Sequence, residues 1–197
     1  MRTVYLVGLS GSGKTTVVNL ALQLLDLQPV VEHLTPIPHV RHGTLWHLGR
    51  HRDPFGGTDT LAMNINPKAI DWVTVLACID RILAGLEINP DVFASTLPDD
   101  KQIPAVLLGE GDRLANNKFL AACPNLTLVW LDTPIPQARQ QAAARAAAHG
   151  QPEQNHSWWK GRVTKVNNLI NSRPTVRLDG TRPLVESAAD LAVLLAP

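Results

Sequence analysis

Met1-Arg2-Thr3-Val4-Tyr5-Leu6-Val7-Gly8-Leu9-Ser10-Gly11-Ser12-Gly13-Lys14-Thr15-Thr16 opens the chain, and its reading decides the fold. Residues 3–7 are a short β-prone run. From 15 to 25 the apolar positions Val17, Val18, Ala21, Leu22 and Leu25 recur at helical spacing. Between them, Gly8 to Thr15 satisfies G-x-x-x-x-G-K-[ST], flanked by the strand and helix this pattern requires. Glycines let successive backbone N–H groups turn inward as an anion nest, and the helix N-terminus behind them adds positive potential. Lys14 supplies charge for β and γ phosphates, and Thr15 a hydroxyl for Mg2+. The expected phosphate-binding set is Gly8, Ser10, Gly11, Ser12, Gly13, Lys14, Thr15 and Thr16.

Moving outward, residues 30–34 can form a second strand before Pro36 and Pro38 break it. Residues 35–66 read as an insertion holding short β-like pieces such as 44–48. A helix is expected from Pro67 to about Leu86, whereas 92–100 is ambiguous. Residues 104–108 are continuously apolar and stop at Gly109-Glu110-Gly111-Asp112-Arg113, as a buried parallel strand ending in a polar loop does. The pattern repeats at 126–131, which ends in Asp132. Helices at 136–149 and 161–170, a strand at 175–178 and a helix at 185–195 complete the series. Strands alternating with helices predict an α/β domain with a mainly parallel sheet, and place ligands at the strand C-terminal ends.

Composition narrows the partners little. The chain has 197 residues, 45% of them hydrophobic, with 18 Lys plus Arg against 17 Asp plus Glu. One domain over 1–197 is expected, and the balanced charge identifies no polyanion or membrane partner. No apolar run reaches the roughly 18 residues of a membrane span, and the first residues turn polar too early for a signal peptide, so a cytoplasmic protein is expected. Cys78 and Cys123 lack metal-ligand spacing and read as buried free thiols.

A phosphate loop does not say where the phosphate goes. The guanine-specifying Asn-Lys-x-Asp of switch GTPases is absent, since Asn116-Asn117-Lys118-Phe119 lacks the aspartate. Leu108-Gly109-Glu110-Gly111-Asp112 is a loose version of the paired acids that end a strand in oligomeric ATPases. Phosphotransferases remain, and here the chain resembles the P-loop nucleoside and nucleotide kinases, in particular the thymidylate-kinase-like branch. Besides the loop, the resemblance rests on three features. Asp112-Arg113 stands just past a buried strand, Arg139, Arg145, Lys160 and Arg162 follow Leu131-Asp132 like a lid, and Leu178-Asp179-Gly180-Thr181-Arg182-Pro183-Leu184 precedes a helix. It implies a three-layer P-loop kinase fold with a mainly parallel five-stranded sheet, helices on both faces and a helical lid over about 139–165. It also implies ATP and Mg2+ as cofactors and Asp112-Arg113 beside the acceptor. Arginines closing on the transferred phosphoryl group suit a loose transition state, so Arg145 and Arg162 are the lid candidates, with a solvated helix face as the alternative. Glu110 and Asp112 qualify by position as general base or ligand to Mg2+-bound water; for Asp112 the alternative is a helix-capping turn residue. Leu114 stands where thymidylate kinases carry an aromatic or histidine, and no Arg-Glu-Pro follows the second strand, so free thymidylate is not the expected acceptor.

The stretch from His33 to Arg52 holds His33, His39, Arg41, His42, His47, Arg50, His51 and Arg52 without one acid. With Phe55-Gly56-Gly57-Thr58-Asp59 and Trp72, it offers cations for acceptor phosphates and Phe55 or Trp46 for stacking on a base. The acceptor set is therefore Arg50, Arg52, Phe55, Asp59 and Arg113. A solvated basic loop is the plainer reading, and no two of the histidines show ligand spacing on a clear helix. Trp158-Trp159-Lys160-Gly161-Arg162 either anchors a lid helix or stacks on bases. Taken with Trp46-x-x-Gly49-Arg50-x-Arg52-x-x-Phe55-x-Gly57-Thr58-Asp59 and Glu110-Gly111-Asp112-Arg113, it resembles bacteriophage kinases that phosphorylate 5-hydroxymethyluracil in DNA. That likeness implies DNA as partner and, for a viral protein, the host cytoplasm. Kinases of free nucleosides or nucleoside monophosphates, and a P-loop ATPase or binding module without acceptor chemistry, are the alternatives.

Overall fold

A computed structural model describes residues 1–29, 31–33, 38–49, 51, 57–59, 104–113 and 125–196. Seven strands form one sheet: β1 (Arg2–Val7), β2 (Val31–His33), β3 (His39–His42), β4 (Leu45–Leu48), β5 (Val106–Glu110), β6 (Leu126–Asp132) and β7 (Thr175–Asp179). Their spatial order is β2-β3-β4-β5-β1-β6-β7. Neighbours from β4 to β7 run parallel, giving the expected parallel core of five strands, while β2 and β3 extend it antiparallel at one edge. The described helices are α1 (Lys14–Leu24), α2 (Ile135–Ala148), α3 (His156–Asn171) and α4 (Leu184–Leu195). No helix among the described residues is long and apolar enough to cross a membrane.

The apolar spacing read in the first helix has a direct outcome. Val17, Val18, Ala21 and Leu22 of α1 pack with Ala188, Leu191, Ala192 and Leu195 of α4. Beneath them lie Val4 and Leu6 of β1, Leu108 of β5, and Val129 and Leu131 of β6. The alternate residues Tyr5, Val7, Leu107 and Leu128 are buried too, so the central strands are covered on both faces. By contrast α2 buries Ala138 alone and stands on the helix propensity of its alanines. In α3 the Asn155 side chain accepts the Trp158 N–H at 2.9 Å, so the helix begins at His156 rather than at 161 and takes both tryptophans into its first turns.

The second strand read at 30–34 is present as β2 and lies at the antiparallel edge, whereas β4, read as a β-like piece within an insertion, takes the parallel place beside β5. The basic stretch is not a solvated loop along its described length, because His39, Arg41, His42, Trp46 and His47 lie buried in β3 and β4. Arg41 sits 4.7 Å over the Trp46 ring and donates to His39 Nε2 at 3.3 Å, and His39 stacks on Trp46 with centroids 4.2 Å apart. These side chains satisfy one another inside the sheet, which removes Trp46 as a stacking platform for a base. The helix expected from Pro67, both cysteines and Trp72 lie outside the described residues.

Candidate active site

Strand register brings the site together. Leu6 of β1 pairs with Glu110 of β5, so the last residue of β5 arrives where β1 enters the phosphate loop, and the Gly111 amide donates to Leu6 O at 2.9 Å. The loop turns through Gly11 at φ 78° and Gly13 at φ 92°, a conformation costly to any residue with a Cβ. At Gly11 such a Cβ would also collide with the Ala138 carbonyl of α2, so α2 rests directly on the loop. Thr133, buried at the end of β6, donates to Ser12 O at 3.1 Å and holds the loop from the other side. The Val17 N–H donates to Gly13 O at 2.9 Å, and the amides before it in the first turn of α1 lie ahead of the helical ladder, as at any helix start.

Lys14 spans that mouth. Its ammonium donates to Gly8 O at 3.0 Å and Leu9 O at 2.8 Å, with Ser12 Oγ at 3.5 Å. Burial lowers its pKa, opposed by the nearby carboxylates of Glu110, Asp59 and Asp112. Thr15 Oγ1 donates to Glu110 Oε2 at 3.1 Å. A hydroxyl and a carboxylate converging beside a phosphate nest form an oxygen donor set suited to Mg2+, with room for its retained waters because Thr15 is exposed. Burial presses Glu110 toward its neutral form, but His47, Lys14 and His51 outweigh it and hold its pKa below the ordinary value. At 3.6 Å the His47 Nε2 to Glu110 Oε1 approach is too long for a hydrogen bond. Thr16 is exposed on the first turn of α1.

The arginines reach the site from opposite directions. Arg145, on exposed α2, donates to Ser10 Oγ at 3.0 Å. Arg162, on α3, forms a 2.8 Å ion pair with Asp112 and lies 5.1 Å over Trp158, while Arg139 lies 5.3 Å over Trp159. The first of these arginine–tryptophan contacts is internal to α3, whereas Arg139 of α2 over the buried Trp159 of α3 ties the two helices together. Lys165 donates to Arg113 O at 3.4 Å, and burial lowers its pKa. Lys160 is exposed.

Of the acceptor set, Arg50, Arg52 and Phe55 lie outside the described residues. Asp59 does something the sequence did not suggest: its two oxygens accept the backbone N–H groups of Arg113 at 2.8 Å and Asp112 at 3.2 Å. It positions the turn that carries Asp112 and Arg113. Burial and the neighbouring Asp112 raise its pKa, opposed by those amides and Lys14. Gly111 lets this carboxylate approach: its φ is 123°, and a Cβ there would strike the Asp59 carboxylate. Thr58 makes a second bridge, donating to Leu48 O at 2.6 Å while accepting the Glu110 N–H at 2.9 Å. Thr58 and Thr133 were missed as positioning residues. Each stands beside a residue singled out in the sequence, but a lone threonine carries no pattern.

Residues 94–188 match the family model P-loop Nucleotide Kinase3. The matched stretch begins after the phosphate loop, so the loop and the match are separate observations. In structure the chain is similar to a gluconokinase from Sinorhizobium meliloti 1021, with 15% identity, a TM-score of 0.48 and coverage of 99% of this chain and 93% of that chain. It is also similar to a deoxyadenosine kinase from M. mycoides with bound dATP, with 10% identity, a TM-score of 0.41 and 98% coverage of both chains. A shikimate kinase from Acinetobacter baumannii in complex with shikimate matches at 16% identity and a TM-score of 0.36, covering 99% of this chain and 90% of that chain. No curated protein matches the chain in sequence.

Proposed function

We propose that the chain is an ATP-dependent kinase that passes the γ-phosphoryl group to a hydroxyl of a nucleotide-like acceptor, with 5-hydroxymethyluracil in DNA as the specific form. The observation that carries this reading is the meeting of Lys14, Thr15 and Glu110 at the mouth of the loop. The amides of the loop and first turn of α1 bind the triphosphate, and Lys14 exchanges its carbonyl partners for phosphate oxygens. Mg2+, held by the Thr15 hydroxyl and through water by Glu110, supplies charge neutralisation on the β and γ phosphates. Asp112, two residues beyond Glu110, orients the acceptor hydroxyl and takes its proton as that oxygen bonds to Pγ and the bond from Pγ to the β-phosphate oxygen breaks. ADP and the phosphorylated acceptor leave, and the proton passes to solvent. Arg162, paired with Asp112 before substrate arrives, moves with Arg145 onto the transferred charge. Residues 1–197 act as one domain in this reading, with 35–66 on the acceptor side and 139–165 as the lid.

The protein is tested with γ-labelled ATP and either duplex DNA containing 5-hydroxymethyluracil or free nucleosides and nucleoside monophosphates. Label retained on polymer is the expected result. Label on free nucleosides alone moves the acceptor to the small-molecule class, and hydrolysis indifferent to any acceptor overturns the kinase reading. DNA contact through the few cations of the acceptor side should weaken with added salt.

A further inference from the structure

His47, His51 and Glu110 converge without satisfying one another. His47 Nε2 and Glu110 Oε1 face each other at 3.6 Å, both buried and both without a hydrogen-bond partner among the described residues. Leaving two such atoms unpaired costs about 1–3 kcal/mol each, more where one is charged. His51 follows His47 by four positions in sequence, and its ring lies 3.8 Å from the His47 ring, centroid to centroid. Its Nε2 meets Leu48 O at 3.0 Å. A carbonyl only accepts, so Nε2 carries the proton and Nδ1 keeps its lone pair. Ligand histidines characteristically have their tautomer set this way by a backbone carbonyl. One ligand atom from each of the three residues lies within 4.8 Å of the others.

We propose that His47, His51 and Glu110 form a binding site for a divalent transition-metal ion of the zinc or cobalt kind, separate from the Mg2+ that accompanies the triphosphate. Two imidazoles and one carboxylate suit such ions, whereas Mg2+ prefers oxygen ligands and keeps its water. The carboxylate serves both sides: Oε2 accepts from Thr15, and Oε1 faces the histidines. With metal–ligand bonds of about 2.0–2.2 Å, tetrahedral ligands stand roughly 3.4 Å apart. The His47 to Glu110 separation already meets that spacing, and the partly exposed His51, past the end of β4, makes the remaining move. A bound ion would clamp the segment after β4 to the carboxylate at the phosphate loop. None of the three ligands needs a nucleotide, so the site stands apart from the kinase reading.

The test is titration of the full chain, first stripped with chelator, with Co2+ followed by visible ligand-field absorption. One Co2+ per chain is expected, displaced by Zn2+ and not by excess Mg2+. His51→Ala, at the rim and outside the strand, should weaken Co2+ binding by at least about 10-fold. In the parent protein, Zn2+ should protect His51 from acylation by diethyl pyrocarbonate. Absence of ligand-field bands, displacement by Mg2+, parent-like binding in a folded His51→Ala, or unchanged acylation of His51 overturns the site. Lys14→Ala should bind Co2+ like the parent even where it transfers no phosphate, which keeps the two readings separable.

Discussion

The two flanks of β1 and β5 are held by different physics. On the phosphate side, α1 and α4 close an aliphatic core over β1 and β6, and the loop above it is shaped by glycine backbone and the Thr133 hydroxyl. On the other side, β3, β4 and residues 57–59 bury His39, Arg41, His42, His47 and Thr58, each useful only in company with another polar group. The first arrangement tolerates apolar exchanges that keep both the spacing and the volume. The second depends on particular pairs, so a small change there leaves a buried group without its partner.

Substitutions can break or sharpen that contrast. The largest effect belongs to the loop: Lys14→Ala should lower phosphoryl transfer by at least about 10²- to 10³-fold, as loss of a preorganised charge does. Its circular dichroism and melting temperature should stay near the parent's, and retained turnover would refute the role of Lys14. Leu191→Ala should cost about 2–5 kcal/mol in urea unfolding, because it opens a cavity between α4 and α1. Thr58→Val, nearly equal in volume, should still cost about 1–3 kcal/mol, because the Glu110 amide loses its acceptor. A neutral result there would mean that the flank of β3 and β4 does not depend on its polar bridges.

A pH series separates the flanks further. Burial lowers the His42 pKa, opposed by its contact with Leu27 O. The unfolded chain takes up a proton near pH 6.5 that the native imidazole refuses, so this contribution to stability is complete above that pH and is lost as pH falls through it. The slope is at most about 1.4 kcal/mol per pH unit, and His42→Gln should flatten the melting temperature measured between pH 7 and 5. An unchanged slope would remove His42 as its source. The smallest effect on stability is expected of Arg145→Ala: its hydrogen bond to Ser10 is exposed, so unfolding should change by less than about 1 kcal/mol, while phosphoryl transfer falls if Arg145 meets the transferred charge.

Legibility followed the same division. The phosphate loop, β1 and α1 were readable because glycine turn chemistry and helical spacing are local, and the strands ending in Glu110 and Asp132 showed as apolar runs stopped by polar residues. Glu110 was identified by its place at a strand end, and the register with Leu6 explains why that place matters. The basic stretch was read as cations and aromatics open to an acceptor, with a solvated loop as the alternative, and neither reading foresaw the burial of His39, Arg41, His42, Trp46 and His47. Contacts with Trp46 make burial possible for His39 and Arg41. Asp59 drew attention through its charge, yet its work is done through two backbone amides that no side-chain pattern announces.

What the amino-acid order settled alone was the succession of strands and helices, the anion nest and its lysine, because each arises from residues within a few positions of one another. Which strand became the parallel neighbour of β5, and which imidazoles meet Glu110, were decided only on folding. Those pairings join groups more than fifty residues apart, and burial alone gives such encounters their energetic weight.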